Sequence, residues 1–509
     1  MLKNAKFPLA PIAAAVIGSI SLAACAVGPN YHAPEQKVAD RFDNADTATF
    51  AAQPEATEPT LSTFWHNFQD PTLDNLISQA LSANHDLRIA VTRVREARAL
   101  RRDAAFDLAP SVNTGAGYTK SRSAAVTTLP GAPRESELYD AGFDAFWELD
   151  FFGGVRRGLE ASNAQLGAVE AESRDALVSV TAEVTRTYFE LRGEQQQLDV
   201  ARRNVANQQS TLDLANARLD AGSGTEFDTA RAQAQLSTTL GGIAPLEAAV
   251  ARSIHRLSVL IGKEPGALRA ELTPSKDLPA LPGIVPVGDP AGMLRRRPDI
   301  RVAERDLASA TARVGVAVAE LFPRVTFTGN VGYVATDRDG LGDRGSDAYT
   351  LAPGISWGIL DFGNVQARIA GANWRKEGAL LRYEQTVLQA LEATENSLVS
   401  HARARERLVH DEAAVRASNT AAGLARVRYE NGASDFLQVL TAERTLLESE
   451  DRLARSRTEA ATTLIAVYKS LGGGWQSAPS IDGRQPVRTA QAVGRKAAQD
   501  NSAWLNTGK

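Results

Sequence analysis

Cysteine is almost absent from this chain of 509 residues, which contains one, Cys25, together with six histidines. A single cysteine excludes an intramolecular disulfide and leaves no second thiol for a metal cluster. The histidines show no HExxH or related spacing, no GxSxG sequence occurs, and no glycine-rich phosphate loop follows a strand pattern. The net charge of −4 gives no sign of nucleic-acid binding. We therefore expect no enzyme, no cofactor, no metal site and no nucleic-acid partner.

Long apolar runs are equally scarce, and the one that stands out lies at the N-terminus. Lys3 and Lys6 precede an apolar stretch at 7–24, which is short for a spanning helix and is interrupted by Pro8 and Pro11. A positive start, an apolar centre and a small-residue end are typical of a secretory signal peptide. No later stretch is apolar enough for a membrane helix, so a membrane role would need β-strands or an attached lipid.

The single cysteine ends this stretch in the sequence LAAC at 22–25. That sequence resembles the bacterial lipobox, in which the chain is cut before the cysteine and the cysteine is acylated. An ordinary signal peptide with an incidental cysteine is the alternative. Two or three acyl chains anchor a protein stably, whereas one is marginal. Ala26, not an aspartate, follows, which by resemblance to such lipoproteins favours the outer membrane. We expect the mature protein to begin at a lipidated Cys25.

The rest of the chain contains an internal repeat. The sequence NHDLRIAVTRVREARALRRDAAFDLAPSV (84–112) resembles RPDIRVAERDLASATARVGVAVAELFPRV (297–325), and WELDFFGG from Trp147 resembles WGILDFGN from Trp357. This period is far longer than that of a solenoid. It indicates one duplicated module of helix, two strands and two further helices, joined by the Pro- and Gly-rich loop 263–290.

Long helices with a seven-residue apolar period follow the strands of each copy. A strict seven-residue period predicts coiled-coil packing, and residues 154–221 would form a rod of roughly 100 Å. A soluble antiparallel coiled coil would show the same period. Pro245 has no proline counterpart in the second copy, which allows a kink there. The apolar positions are Leu198, Val205, Leu212 and Leu219 in one helix and Leu408, Val415, Ala422 and Tyr429 in its counterpart.

Short returns connect these helices, DAGSGTEFD at 220–228 and ENGASDFLQ at 430–438. Gly222 and Gly432 suit the left-handed residue that ends a helix. Thr225 with Asp228 predicts an N-cap followed by an acid at the third helical position, and Ser434 is the predicted second N-cap.

Strands are predicted where the apolar period changes to two. From Tyr139 to Phe151 every odd position is apolar, and the even positions are mostly acidic. Strands of about ten residues or more with aromatic ends are typical of outer-membrane barrels, although a half-buried sheet of a soluble protein is the alternative for any one strand. We interpret Asp140, Asp144, Glu148 and Asp150 as a water-facing wall, not as catalytic pairs. The other strands are predicted at 111–120, 325–333 and 348–362, with the loops 121–137 and 337–346 outside the cell.

Four strands cannot close a barrel, and open edges are not tolerated in lipid, so a barrel must be shared between chains. Two chains would give eight strands, whose interior side chains nearly fill, whereas three would give twelve around a pore. The long helices would continue either barrel, so we predict an α+β membrane protein with four strands per chain.

Several motifs then carry a family resemblance over nearly the whole chain after the signal. They are CAVGPNYHAPE, FWHNFQDPTLDNLI, AFWELDFFGG, LRRRPDIRVAE, ELFPRV and LIAVYKSLGGGW. The chain resembles TolC-like outer membrane factors, specifically the lipoprotein branch of resistance-nodulation-division tripartite efflux systems. The resemblance implies a lipid-anchored homotrimer in the outer membrane that extends into the periplasm. It also implies the fold of that trimer, a trimeric 12-stranded transmembrane β-barrel, with four strands per chain, continued by a long periplasmic α-helical barrel. It also implies two partners, a periplasmic adaptor protein and an inner-membrane resistance-nodulation-division pump.

The function implied is a passive duct that exports drugs or other small molecules. The alternatives are the outer duct of a protein-secreting system and a lipid-anchored coiled-coil scaffold without a pore. The pump selects the cargo, so the sequence of the duct does not name it.

The family closes its duct at the helix returns, which makes residues near both turns gate candidates. By distance from the turn glycines, Asp228 and Tyr429 match a gate hydrogen bond of the family. The family commonly has aspartates past the second turn, where this chain has Gln438 and Thr441, with Asp435 one turn earlier. We expect closure to depend on packing and neutral hydrogen bonds. Alternatively, Tyr429 is simply a heptad core residue.

The chain therefore divides into ten segments. They are a lipoprotein signal peptide (1–24), an N-terminal anchor and equatorial segment (25–70), helices of repeat 1 (71–110), strands 1 and 2 (111–152), long coiled helices of repeat 1 (153–262), an inter-repeat linker (263–290), helices of repeat 2 (291–322), strands 3 and 4 (323–362), long coiled helices of repeat 2 (363–472) and a polar C-terminal tail (473–509).

Overall fold

The computed structural model describes residues 26–35, 37–45, 50–51, 61–129, 131 and 133–476. The predicted signal peptide, Cys25 and the tail beyond residue 476 lie outside the described residues. Within the described ranges, no helix is both long enough and apolar enough to cross a membrane.

Helices form most of the described chain. In chain order they are α1 (Pro71–Ala83), α2 (His85–Phe106), α3 (Gly154–Asp220), α4 (Glu226–Leu260), α5 (Arg269–Leu272), α6 (Pro290–Arg296), α7 (Pro298–Ala319), α8 (Phe362–Glu430) and α9 (Phe436–Ser470). Helices α3 and α8 contain 67 and 69 residues, which gives rods of roughly 100 Å at about 1.5 Å per residue. Each is followed by a returning helix of 35 residues. Helix α4 continues through Pro245 without interruption.

The strands form two sheets. A parallel pair joins β1 (Phe50–Ala51) to β4 (Val285–Pro286). The larger sheet is antiparallel in the order β2-β3-β5-β6, so its two central strands come from different copies of the repeat. Its strands are β2 (Ser111–Arg122), β3 (Glu135–Leu149), β5 (Arg324–Ala335) and β6 (Asp347–Ser356).

The predicted loop 121–137 is too long, because β2 and β3 extend into it and pair up to Arg122 and Glu135. Two predicted strand ends are also wrong, and each has a local cause. The fourth strand was predicted to reach residue 362 but ends at Ser356, which pairs with Arg324, the first residue of β5. A 3-10 helix at Ile359–Asp361 then leads into α8. The second strand ends at Leu149 rather than at Phe151, because Asp150 caps the next helix.

Asp150 is therefore a helix cap rather than a member of the predicted water-facing wall. Its carboxylate accepts from the backbone N–H groups of Val155 and Arg156 at 3.1 and 2.9 Å. The side chain of Arg156 also donates to it, at 3.2 Å. Only 11% of the Asp150 side chain is exposed. Carboxylates are favourable at a helix N-terminus because the first N–H groups have no partner within the helix.

Each returning helix ends against the start of a shorter helix that continues towards the sheet. At the end of α4, Asn84 donates from Nδ2 to the carbonyl oxygen of Leu260 at 2.8 Å. The same side chain caps α2 by accepting from the N–H of Leu87 at 3.1 Å. In the second copy, Arg297 Nη1 donates to the carbonyl oxygen of Ser470, the last residue of α9, at 2.7 Å. Two helices thus abut in each copy and extend the helical wall from the turns to the sheet.

The largest buried cluster surrounds the middle of α3 and is the equatorial core. Aromatic rings dominate it: Phe64 stacks on Tyr468 with centroids 4.9 Å apart, and Phe68 meets Phe189 edge-on at 4.8 Å. Tyr188 donates from its hydroxyl to Asp70 at 2.5 Å. Burial and this hydrogen bond raise the pKa of Tyr188 to about 12. Segments outside the long helices contribute Phe42, Phe50, Leu61, Leu268, Leu272, Val285 and Val287 to the same cluster.

Candidate functional site

The four-stranded sheet places most of its large apolar side chains on one face, referred to below as the apolar face. Tyr349 and Ile355 on β6 are 76% and 75% exposed in the protomer. Exposed apolar area of this extent indicates a surface that contacts lipid or another chain. The larger members of the apolar face are Val112, Tyr118, Tyr139, Phe143, Trp147, Phe327, Val331, Tyr333, Tyr349, Leu351 and Ile355.

The opposite face, the polar face, contains mainly small and hydrophilic residues, with Leu138, Phe146 and Val334 as its larger apolar members. The strand register places four polar residues in one row across the sheet: Asn113, Asp144, Asn330 and Thr350. Within this row, Asn330 Nδ2 donates to Asp144 Oδ1 at 2.8 Å. Asp140 and Glu148 lie on the same face, since they are even-numbered positions of β3, and Glu148 pairs with Arg324. These three acids, unlike Asp150, lie together on the polar face of the sheet, and their contact with water stays a prediction.

The next row of the polar face has almost no side chains. It consists of Gly115, Gly142, Gly332 and Ala348. A Cβ atom on Gly332 would lie 2.4 Å from the carbonyl oxygen of Ala141. The two central strands therefore approach too closely at this level for a larger residue.

Both edges of the sheet are open. Strand β2 pairs only with β3, and β6 only with β5. Each edge thus presents a row of unpaired backbone N–H and C=O groups, which cannot face lipid without a partner.

A matched pair of tryptophans fixes the sheet onto the helices. Trp147 donates from Nε1 to the carbonyl oxygen of Leu108 at 3.0 Å, and Trp357 donates to that of Leu321 at 3.1 Å. The two tryptophans occupy equivalent positions of the repeat. Each ties the end of one strand to the loop that precedes its neighbour, so the sheet has the same attachment to both copies.

At the other end of the protomer the two helix turns share one backbone conformation. Gly222 and Gly432 both have a φ of +71°, in the left-handed region that the sequence predicted. In the first turn, Ser223 N–H donates to the carbonyl oxygen of Arg218 and Gly222 N–H to that of Leu219, both at 2.9 Å. The second turn repeats this pattern, which is the Schellman motif that closes helix C-termini.

The residues that start the returning helices differ between the two turns. Thr225 is the N-cap of α4 as predicted and accepts from the N–H of Asp228 at 3.2 Å. The prediction of Ser434 as the second N-cap is wrong: Asp435, directly before α9, accepts from the N–H of Gln438 at 3.0 Å. Ser434 instead donates to the side chain of Gln438 at 2.8 Å.

Between the turns lies a second, smaller cluster, referred to below as the tip cluster. Tyr429 is 5% exposed within it, and its ring centroid lies 5.3 Å from that of Phe436. These contacts are those of a heptad core residue. The cluster contains Leu212, Ala215, Ala232, Leu236, Tyr429, Phe436, Val439 and Leu440.

The structure does not pair Asp228 with Tyr429. The carboxylate of Asp228 accepts from the hydroxyl of Thr225 at 2.7 Å, and no hydrogen bond between Asp228 and Tyr429 is present among the described residues. Gln438 and Thr441 are both exposed, and the hydroxyl of Thr441 donates to the carbonyl oxygen of Leu437 at 2.8 Å. The gate role of these residues stays a prediction.

Arg218 is the contact that the sequence analysis missed. Its guanidinium carbon lies 3.9 Å from the centroid of the Tyr429 ring, and Nη2 donates to the carbonyl oxygen of Tyr429 at 2.6 Å. Arg218 of α3 thereby places a positive charge at the C-terminal end of α8, where the helix dipole is negative. It links the helix pair α3–α4 to the helix pair α8–α9. One sequence feature could have pointed to this contact: α3 and α8 each have a basic residue in the last turn, Arg218 and Arg428.

Two buried ionisable groups respond to pH in opposite directions. Burial, together with the positive charge of nearby Arg405, lowers the pKa of His401, in the middle of α8, to about 4. Burial raises the pKa of Glu443 on α9, although Thr211 donates a hydrogen bond to this carboxylate at 2.8 Å.

Comparison with known proteins agrees with this architecture. The family model described as outer membrane efflux protein matches residues 76–263 and 291–473, which are the two copies without the linker. The chain is 30% identical over 461 residues to nodulation protein T of Rhizobium leguminosarum bv. trifolii, covering 90% of this chain and 96% of that protein. It is 30% identical over 481 residues to outer membrane protein OprJ of Pseudomonas aeruginosa, covering 92% and 96%.

Solved structures give the same result. The outer-membrane channel OprN superposes with a TM-score of 0.83 at 42% identity, covering 89% of this chain and 100% of that chain. The CmeC channel of Campylobacter jejuni superposes with a TM-score of 0.84 at 20% identity, which shows the fold alone. The chain belongs to the outer membrane efflux protein family, and the predicted resemblance to TolC-like outer membrane factors is confirmed. It is an outer membrane channel component of an efflux system.

Proposed function

We propose that three copies of this chain form a passive duct through the outer membrane and into the periplasm, and that the duct exports drugs or other small molecules for a tripartite pump. The observation that carries the proposal is the sheet: it has two open edges, one apolar face and one polar face. A closed barrel of such sheets satisfies every edge, turns the apolar face to lipid and the polar face to water.

Three copies fit this sheet better than two. An eight-stranded barrel has an interior that side chains nearly fill, whereas twelve strands leave space for a channel. The near-absence of side chains in the row of Gly115, Gly142, Gly332 and Ala348 also suits an open lumen. The rods of α3 and α8 would continue the channel by roughly 100 Å.

The partners proposed are a periplasmic adaptor and an inner-membrane pump of the resistance-nodulation-division type. Support comes from relatives whose names place them in pumps, such as the solvent efflux pump outer membrane protein SrpC of Pseudomonas putida, 28% identical over 457 residues. The energy for export would come from the pump, because a duct only has to open.

A lipid on Cys25 is the proposed second anchor. Ala26, the first described residue, lies against Gly153 at the point where the sheet meets α3: a Cβ atom on Gly153 would be 2.7 Å from Ala26 Cα. Acyl chains on the preceding residue would therefore leave the protein next to the apolar face, where the membrane boundary is expected.

Closure is proposed at the turns, through the candidates Asp228, Tyr429, Asp435, Gln438 and Thr441. The tip cluster supports closure by packing, with the Arg218 contact to Tyr429 as an additional restraint. A neutral hydrogen bond contributes only about 1 kcal/mol net, so the three symmetric copies would have to act together.

A matched pair of substitutions on β6 tests which face meets lipid. Leu351→Arg places a charge on the apolar face, where it would destabilise the inserted barrel by about 2–4 kcal/mol per chain. Thr350→Arg places the same charge one residue away on the polar face and should leave a stable trimer. Trimer yield from outer membranes is the measurement. Equal loss in both variants, or loss in Thr350→Arg alone, would contradict the proposed orientation.

Function is tested separately from assembly. The purified protein should conduct ions in planar bilayers, which the scaffold alternative would not. Deletion of the gene should increase drug susceptibility while leaving exported proteins unchanged. The opposite pattern would favour the protein-secretion alternative.

A further inference from the structure

Arg157, in the first turn of α3, is an unusual residue because its guanidinium is buried and most of its bonds go to a non-helical segment. It is 4% exposed. Nε donates to the carbonyl oxygen of Val27 at 3.1 Å. Nη2 donates to Asn30 Oδ1 at 2.8 Å and to the carbonyl oxygens of Gly28 and Ala26 at 3.2 and 3.4 Å. One guanidinium thus contacts every residue of the segment Ala26–Asn30 except Pro29.

Close backbone contacts hold the same segment. Gly28 has a φ of +89°, and a Cβ atom there would lie 2.5 Å from Gly315 Cα on α7. The N–H of Val27 donates to the carbonyl oxygen of Phe152 at 3.1 Å. A side chain at position 28 would therefore force the segment off α7, whatever its polarity.

The charge of Arg157 is only partly compensated by an acid. Nη1 pairs with Glu160 at 2.7 Å, and 43% of the Glu160 side chain is exposed. The remaining donors depend on the segment, and buried donors that lose their partners destabilise a protein. Arg192, the other buried arginine found among the described residues, also donates to a segment outside the long helices, at 3.1 Å to the carbonyl oxygen of Pro274 in the linker.

We propose that Arg157, Gly28 and Gly315 form a docking site for the chain's own N-terminal segment, with Arg157 as the positioning residue. The site fixes Ala26–Asn30 at the junction of the sheet with α3 and α7. The segment then continues to further attachments, from the Tyr31 hydroxyl to Glu304 at 2.9 Å and from the Asp43 N–H to Glu395 at 2.8 Å. It therefore bridges both copies of the repeat.

The consequence is a fixed exit point for whatever precedes Ala26. If Cys25 is acylated, which rests on the proposed function, its acyl chains are attached next to the junction of the sheet with α3 and α7. The docking of Ala26–Asn30 itself does not depend on acylation.

A spin label at position 29 tests the docking site in the full-length protein. Every variant carries Pro29→Cys, which leaves the contacting atoms of residues 26, 27, 28 and 30 in place. Arg157→Ala removes the donor from four acceptors and should shorten the rotational correlation time of the label roughly threefold or more, on the nanosecond scale that such labels report. Arg157→Lys keeps the charge but not the planar fork, so it should restore immobilisation only in part.

Gly28→Val is the independent variant: it should also release the segment, because its side chain would clash with Gly315 on α7. It leaves Arg157 intact but should mobilise the label as strongly. Arg93→Ala is the matched control, because Arg93 on α2 is an exposed arginine that pairs with Glu172 of α3 at 3.0 Å; the spectrum should not change. The thermal midpoint should stay near that of the parent in the Arg157 and Arg93 variants, whereas Gly28→Val leaves buried donors of Arg157 without their partners and should lower it.

The outcomes separate docking from lipidation. An immobile label in both Arg157→Ala and Gly28→Val would overturn the docking site. So would mobility in Arg157→Ala that appears only together with a lower thermal midpoint, since Arg157 would then support the fold in general. The protein without Pro29→Cys should take up no label if Cys25 is acylated, and one label per protomer would refute acylation while leaving the docking site standing.

Discussion

The equatorial core and the tip cluster are built from the same helices but differ in how firmly those helices are held. At the equator, aromatic rings from α3, α9 and the 3-10 helix Phe64–Phe68 contact one another directly. At the tip, eight buried residues, two of them alanines, join the two helix pairs. Regions with fewer buried apolar contacts open at lower free energy. The comparison predicts that local opening costs less free energy near the turns than at the equator.

The same phenylalanine truncation in both regions should show the largest difference. Phe189→Ala removes a fully buried ring from the equatorial core and should destabilise the protomer by about 3–5 kcal/mol. Phe436→Ala at the tip should leave the global thermal midpoint close to that of the parent and increase hydrogen exchange only near the turns. Similar thermal midpoints in Phe189→Ala and Phe436→Ala would contradict the proposed difference in stability between the equatorial core and the tip cluster.

Acid should weaken the equator. The pKa of His401 is depressed to about 4 in the folded protein, against about 6.5 when unfolded. The unfolded chain therefore binds more protons between these values, and stability is lost as pH falls through this window, by up to roughly 3 kcal/mol per protomer. Thermal unfolding measured from pH 7 to 4 checks this. His401→Phe should flatten the dependence, whereas substitution of the exposed His85 by Gln should not.

The tip should respond to acid in the opposite sense. Burial raises the pKa of Glu443, so the folded state binds more protons, and the stability that this carboxyl contributes is lost as pH rises through its folded pKa. Glu443→Gln should remove that dependence from hydrogen exchange near Thr211. Unchanged exchange between pH 4 and 7 in the parent would show that Glu443 does not influence the tip.

A smaller effect is expected from charge at the tip. Thr441 is exposed and neutral, with Gln438 one turn earlier, whereas the acids Asp140 and Asp144 lie on the polar face of the sheet. Thr441→Asp would add three carboxylates to the proposed trimer near one level, and closely spaced like charges attract cations. Single-channel current should then be blocked by multivalent cations added on the tip side. Thr445→Asp, one turn further along α9, is the matched control and should give weaker block.

Local patterns were sufficient to predict much of the fold. The repeat, the four strands and the left-handed conformations of Gly222 and Gly432 follow from spacing and residue type, because strands alternate with period two and a positive φ favours glycine. The N-cap of α9 is Asp435 rather than the predicted Ser434, a difference of one residue. Sequence patterns place helix ends only to within one or two residues.

Contacts between distant segments could not be predicted in the same way. The bond from Arg218 to Tyr429 joins residues 211 positions apart, and the Arg157 contacts join residues up to 131 apart. An arginine near a helix end suggests a charge effect at that end but does not name its partner. The early end of β6 likewise depends on where its neighbour β5 begins.

We propose that this protein is a duct whose opening is confined to the tip. The most direct test compares the single-channel conductance of Arg218→Ala with that of Arg428→Ala and of the parent. Arg218 joins the two helix pairs, whereas Arg428 is its equivalent in the second copy. The account predicts a parent that conducts weakly, a clear increase in open current in Arg218→Ala, and parental current in Arg428→Ala, with all three proteins trimeric and equal in thermal midpoint. An Arg218→Ala trimer that conducts like the parent, or a parent that never conducts, would contradict it.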